Sequence, residues 1–170
     1  MGGMSTSVQY TQRFSAPPAT VWEMMIDPEF IATKAMRSGS LEVSPEVADH
    51  GEETLIISRR KLPAKMPGFM KRFVGEELVL NETQKWGEPA EDGSRTGSFV
   101  IDFGGQPMAF HGNLSMRPSA EGTEVVTDGS LHASVPFVGR KAEAVALDWS
   151  VRYLRKEEQV AAEWLGQAGA

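Results

Sequence analysis

The chain has 170 residues, 41% of them hydrophobic and 24% charged, which is ordinary for one globular domain with a core of its own. Its formal net charge of −6 argues against a general nucleic-acid-binding surface, and the absence of cysteine excludes disulfides, thiolate metal sites and cysteine nucleophiles. The N-terminus has no signal-peptide pattern, and no apolar run approaches the roughly 20 residues of a membrane span. These features predict a soluble cytoplasmic protein.

The N-terminal part predicts one strand followed by two short helices. Val8–Phe14 alternates between apolar and polar residues, which is typical of a strand. Ser15 can cap the first helix, and the prolines that follow it occur where a helix can begin. Asp27 precedes a proline and therefore interrupts this helix. A second helix is predicted from about Pro28 to Met36, closed by a Ser-Gly pair.

Six more segments of strand type follow, separated by turns rich in glycine, proline and acidic residues. Short turns between neighbouring strands predict an antiparallel sheet, and the apolar parity of the later strands predicts a bent sheet with one apolar concave face. The predicted strands are Leu41–Val47, Glu53–Leu62, Glu76–Trp86, Arg95–Phe103, Met108–Pro118 and Glu124–Val135.

The last segment, from about Gly139 to Gln167, predicts a long helix that is apolar on most sides. A surface helix has one apolar stripe, whereas this one has two and only a narrow polar stripe. We therefore expect the sheet to cover the helix nearly all round. The polar stripe consists of Lys141, Asp148, Arg152, Arg155 and Gln159.

The order of these elements resembles the helix-grip fold of the START-like superfamily, also called SRPBCC. The resemblance is carried by "FSAPPATVWEMMIDPEF" (Phe14–Phe30) and "GSLHASVPFVGRKAEAV" (Gly129–Val145). "LPAKMPGFMKRFVGEEL" (Leu62–Leu78) is similar to an actinobacterial START-like group known only as a domain of unknown function. The resemblance implies an α+β fold, in which a curved antiparallel sheet of about seven strands wraps a long C-terminal helix. The domain would span residues 7–167 after a flexible N-terminus of residues 1–6.

Many members of this superfamily bind hydrophobic small molecules in a cavity between the sheet and the helix. The resemblance therefore implies binding, transport or sensing of a lipid, isoprenoid or polyketide, without a cofactor and with no catalytic residue assigned. Strand parity and helix position give the candidate wall residues, with two more at a mouth of the cavity. The wall candidates are Phe99, Phe103, Met108, Phe110, Met116, Trp149 and Tyr153, and the mouth candidates are Met66 and Phe69.

The segment Arg59–Arg72 contains six basic residues and no acidic one. Charge runs usually face water, so a solvated loop is the first interpretation. The second is a lid over the cavity, whose methionines and phenylalanines cover the opening while its cations contact an anionic membrane.

Two other functions stay open at this stage. A polyketide cyclase or aromatase would place acid or base groups in the cavity, and His111, His132, Asp102 and Tyr153 are the candidates. An interaction module would form a homodimer and have a filled interior. The three histidines lack metal-ligand spacing, so no metal site is predicted. Adjacent carboxylates such as Glu157-Glu158 are expected on solvated faces or strand ends.

Overall fold

The structure is a computed structural model that describes residues 5–63, 68, 77–135 and 137–168. Within these ranges it has seven strands and three helices, close to the predicted segments. In chain order they are β1 (Thr6–Phe14), α1 (Pro18–Met25), α2 (Pro28–Arg37), β2 (Glu42–Asp49), β3 (Glu53–Pro63), β4 (Glu77–Gly87), β5 (Arg95–Asp102), β6 (Met108–Ser119), β7 (Gly122–Ala133) and α3 (Gly139–Ala168).

All seven strands form one antiparallel sheet with the order β1-β7-β6-β5-β4-β3-β2. Strands β2 to β7 are sequential neighbours, as short turns between antiparallel strands require. Strand β1 instead pairs with β7, with Tyr10 opposite Thr127, so α1 and α2 carry the chain from one sheet edge to the other. The predicted α+β fold, a curved antiparallel sheet with a long C-terminal helix, is confirmed.

The two short helices begin at prolines, because a proline at the first helical position loses no helical hydrogen bond. Helix α2 is capped by Asp27, whose carboxylate accepts a hydrogen bond of 2.9 Å from the backbone N–H of Glu29. The prediction that Ser15 caps α1 is wrong. The N-cap is Pro17, and it makes no side-chain capping bond.

The core lies between the concave face of the sheet and the helices. Residues of one parity on β6 and β7 are buried, as the alternation predicts. The rings of Phe99 and Phe110 meet edge to face on this surface, with centroids 4.7 Å apart. No helix in the described ranges is long and apolar enough to cross a membrane.

Helix α3 is buried near both of its ends but not in its middle. Ala142 and Ala146 are buried toward the N-terminal end, and Val160 and Ala161 toward the C-terminal end. No residue between Ala146 and Glu157 is fully buried, and the structure describes all of them. The middle of the helix therefore spans a space instead of packing on a filled core. The predicted polar stripe is exposed along its whole length.

Candidate functional site

A cavity of about 500 Å³ lies between the concave face of the sheet, α2 and the middle of α3. This volume is within the range of about 300–1,000 Å³ that is usual for small-molecule sites. Its lining residues Arg37, Gly39 and Arg152 are exposed, so the cavity opens to solvent between the end of α2 and the middle of α3. The apolar part of its wall includes Leu62, Leu78, Leu80, Phe99, Ile101, Phe103, Phe110, Leu114, Val125, Trp149 and Leu154.

Most of the predicted wall residues line this cavity. They are Phe99, Phe103, Phe110, Trp149 and Tyr153. Met108 and Met116 are buried near opposite ends of β6, and they are not among the lining residues. The cavity lies under the middle of that strand, where Phe110 and Leu114 point inward.

The predicted mouth residues Met66 and Phe69 lie outside the described residues. Leu62 and Pro63, which end β3 just before them, do line the cavity.

One part of the wall is charged, and the sequence analysis did not predict these charged residues. The ammonium group of Lys34 on α2 donates to the carboxylate of Glu157 on α3, and both side chains are 11% exposed. Gln12 of β1 donates to the same carboxylate at 2.6 Å and to the carbonyl of Leu154 at 3.0 Å. The expectation that the Glu157-Glu158 pair is solvated is therefore wrong for Glu157.

A second buried ion pair also lines the cavity. Arg60 on β3 is 4% exposed, and its Nη2 lies 3.5 Å from a carboxylate oxygen of Glu82 on β4. The same carboxylate accepts from Gln84, and Gln84 in turn accepts from the indole N–H of Trp86 at 2.9 Å. The guanidinium carbon of Arg60 lies 4.0 Å from the centre of the Tyr153 ring, which brings the second pair against α3.

Sequence signals for these charged residues did exist. Lys34 shares the buried face of α2 with Phe30, Ile31 and Ala35 at helical spacing. Arg60 has the parity of the buried Ile56. A charge at an otherwise apolar position of a helix or strand is the pattern that would have identified them.

The environment sets the protonation of two of these groups. Burial opposes the charged form of Lys34, but the carboxylate of Glu157 outweighs burial, with help from Tyr153 and Glu82, and raises the pKa of Lys34. Burial is also the main cause that raises the pKa of Tyr153, against the opposing effects of Arg60 and Lys34. At neutral pH the site therefore presents an ammonium ion and a neutral phenol.

We expect stability to fall more steeply with alkaline pH in the wild type than in Tyr153→Phe. The folded pKa of Tyr153 lies above its ordinary value of 10.0, so the unfolded chain loses this proton first. The stability linked to the neutral phenol is present below about pH 10 and lost as pH rises through the folded pKa, by at most about 1.4 kcal/mol per pH unit. Urea unfolding on both sides of about pH 10 measures this difference. Equal slopes in the two proteins would contradict a buried neutral Tyr153.

The other predicted acid–base candidates lie outside the cavity. His111 and Asp102 are exposed on the opposite parity from the wall residues. The imidazole of His132 is 39% exposed, and it bonds with Ser134 at 2.9 Å. Of the four candidates only Tyr153 lines the cavity. Among the residues that the structure describes, no group of three His, Asp or Glu side chains could hold a metal ion.

The fold is shared with solved structures of distant sequence. The protein TTHA0849 of Thermus thermophilus is 21% identical over 92% of this chain and 97% of its own, with a TM-score of 0.59. The Zhui aromatase/cyclase of Streptomyces sp. R1128 is 18% identical over 93% of this chain and 94% of its own, with a TM-score of 0.57. Ara h 8.0201 is 11% identical over 92% and 98% of the two chains, with a TM-score of 0.51. These likenesses confirm the predicted helix-grip fold.

Sequence comparison reaches a family without an assigned activity. No curated protein matches the chain. One family model does, over residues 9–165, which is nearly the whole chain. The chain therefore belongs to the family described as "Protein of unknown function (DUF2505)", whose sequence here forms a helix-grip fold around a cavity that is part apolar and part charged.

Proposed function

We propose that the protein binds, and thereby carries or senses, a hydrophobic small molecule in the cavity between the sheet and α3. The observation that carries this proposal is the cavity itself, about 500 Å³ with a largely apolar wall. Burying the apolar surface of a ligand there contributes about 25 cal/mol per Å² before the costs of binding are subtracted.

The middle of α3 supports the same proposal. Four residues on the cavity side of this helix are only partly buried, namely Trp149, Ser150, Tyr153 and Leu154. Protein interiors normally pack to crystal-like density, so a space of this size is costly unless something occupies it. A hydrophobic ligand would fill the space between the sheet and the middle of α3.

Filling the cavity from α3 should abolish binding while the protein stays folded. Ser150 is half-buried and lines the cavity, so Ser150→Phe places a ring in the space without displacing a core side chain. Fluorescence of diphenylhexatriene, a pure hydrocarbon probe, should rise with the wild type and stay near background with this variant. The expected loss of affinity is at least about tenfold, because the ring and the probe compete for one volume.

The matched control is Ala144→Phe, which adds the same ring on the exposed side of α3. It should leave probe binding unchanged. Failure of the wild type to bind the probe, or equal binding by Ser150→Phe and wild type in proteins of equal stability, would contradict the proposed function.

A cyclase-type enzyme is the second candidate, because ionisable groups do line the cavity. Its acid–base chemistry would depend on Tyr153, since the histidines and Asp102 lie elsewhere. Conversion of a linear poly-β-keto thioester to an aromatic product, lost in Tyr153→Phe, would favour this candidate. The interaction module with a filled interior does not fit, because the interior contains the cavity.

Contact of Arg59–Arg72 with an anionic membrane stays a prediction. Within the described part of this segment only Arg59 is an exposed cation directed to solvent, because Arg60 is buried and Lys61 is shared between Glu42 and Glu77. Any membrane-binding charge would therefore have to come chiefly from residues beyond Pro63. The cytoplasmic location and a homodimer stay predictions as well.

A further inference from the structure

The charged side chains that line the cavity are mostly cations. Among the described lining residues, five carry a positive charge and two a negative charge. The carboxylate of Glu157 is matched by Lys34 within the wall. The carboxylate of Glu82 is matched by Arg60 in the same way. Three positive charges are therefore in excess in the wall, although the whole chain has a formal net charge of −6.

The three excess cations lie at the opening of the cavity. Arg37 is the last residue of α2, while Arg152 and Lys156 are about one turn apart on α3. Arg37 holds the pKa of Glu163 below its ordinary value, chiefly through its hydrogen bond, and Lys156 adds to this effect. Arg37 and Lys156 are thus close to one carboxylate, so positive charge from both helices meets at the opening.

The partners of these cations hold them weakly. Arg37 is 39% exposed and its partner Glu163 is 49% exposed. Arg152 is 74% exposed and its partner Asp148 is 57% exposed. Lys156 donates to the neutral amide oxygen of a glutamine at 3.1 Å. Exposed pairs of this kind contribute little, because water and salt screen them, so another anion at the opening can take their place.

The opening and the interior suit the two ends of an amphipathic anion. A charged group deep in the cavity would enter as an extra buried charge, which is strongly unfavourable. At the opening the same group stays in contact with water and lies beside the excess cations. The apolar wall, which includes Phe99, Phe110 and Leu114, would then bury the hydrocarbon part of the molecule.

We propose that Arg37, Arg152 and Lys156 form a head-group site for an oxyanion, so that the ligand is a hydrocarbon chain with a carboxylate or phosphate group at one end. This proposal rests on the proposed function, because it names the polar end of the molecule that the cavity binds. The chain enters the cavity and the oxyanion stays at the opening. The excess positive charge would also attract such a ligand from solution, which makes its association sensitive to salt.

Displacement of diphenylhexatriene tests the proposal with three ligands of the same chain length: laurate, dodecyl phosphate and dodecanol, each below the concentration at which it forms micelles. Arg152→Gln combined with Lys156→Gln should weaken binding of the anions roughly fivefold in about 0.01 M salt, because two exposed charge contacts are lost. Arg37→Gln should weaken it about twofold. Dodecanol binding should not change, and in about 1 M salt, where the screening length is about 3 Å, the differences should disappear. A loss confined to one anion identifies the head group as carboxylate or as phosphate.

The matched control is Lys141→Gln combined with Arg155→Gln, which removes two exposed cations of α3 that do not line the cavity. It should leave the affinity for all three ligands unchanged. If this control weakens anion binding as much as the Arg152 and Lys156 variant does, or if neither variant weakens it, the head-group site is refuted while the hydrophobic cavity stands. An equal loss for dodecanol, or a wild type that binds dodecanol but neither anion, would refute it as well. If the hydrocarbon probe does not bind at all, the proposed function itself fails.

Discussion

Replacing Lys34 with methionine should lower the free energy of unfolding by about 3–5 kcal/mol, because removing one partner of a buried ion pair leaves the other charge uncompensated. Glu157 would keep only the bond from Gln12, at a site where its side chain is 11% exposed. This is the largest effect we expect from any single change at the site. It would remove much of the roughly 5–15 kcal/mol that stabilises an ordinary domain. Urea unfolding at neutral pH measures it.

A double variant and a surface variant identify the cause. Lys34→Met combined with Glu157→Gln removes both charges and keeps an acceptor for Gln12, so it should recover most of the lost stability. Arg37→Met breaks an exposed pair, with Glu163, between the same two helices and should change stability very little. If Lys34→Met is no less stable than Arg37→Met, the buried pair does not hold α2 to α3.

The second large effect is expected at Gly129, where Gly129→Ala should lower the free energy of unfolding by about 1–3 kcal/mol. Gly129 of β7 lies directly opposite Gly112 of β6, where the rings of Phe99 and Phe110 approach the backbone closely. A Cβ atom at Gly129 would lie 2.5 Å from the carbonyl oxygen of His111 and 2.8 Å from the ring of Phe99. The backbone cannot yield easily, so the rings of Phe99 and Phe110 would have to move toward the cavity.

The effect of Gly129→Ala can be measured on both stability and probe binding. Urea unfolding should show the loss of stability, and diphenylhexatriene should bind more weakly because the displaced rings occupy the cavity. Gly87→Ala is the control on β4, since a Cβ there meets only the carbonyl oxygen of Thr96 at an ordinary 3.6 Å. If Gly129→Ala is as stable as Gly87→Ala, the sheet tolerates a Cβ atom at Gly129 and the prediction is wrong.

The two substitutions affect different parts of the cavity. The Lys34–Glu157 pair fixes α2 and α3 at the charged end of the cavity. At Gly129 the absence of a side chain leaves room for the rings of Phe99 and Phe110, which belong to the apolar wall. Loss of the first would change mainly stability, whereas strain at the second would change both stability and the volume open to a ligand.

Much of the fold could be predicted because it depends on local patterns. Alternation in β6 and β7, the proline starts of α1 and α2 and the double apolar stripe of α3 each act over a few residues. The same parity placed Phe99, Phe103 and Phe110 on the inner face. It placed Met108 and Met116 there too, but parity gives the face of a residue and not its position along the strand relative to the cavity.

Local patterns could place Lys34 and Arg60 on inner faces, but they could not predict which side chains lie beside them. Lys34 and Glu157 are 123 residues apart in sequence, and only the tertiary structure brings their side chains together. Arg60 belongs to a basic run, which predicts a solvated segment, yet its strand parity turns it inward onto Tyr153.

The amino-acid sequence by itself thus determined the order of the elements, the antiparallel sheet and the long C-terminal helix, because propensity and periodicity are properties of neighbouring residues. The expectation that the sheet covers this helix nearly all round is wrong, since one side of α3 is exposed along its length. Only the tertiary structure decided that the middle of α3 stops short of a filled core, and that two ion pairs line the space left there. The physical reason is that burial and pairing depend on contacts between distant segments, and the energy of a charge depends on what the fold places next to it.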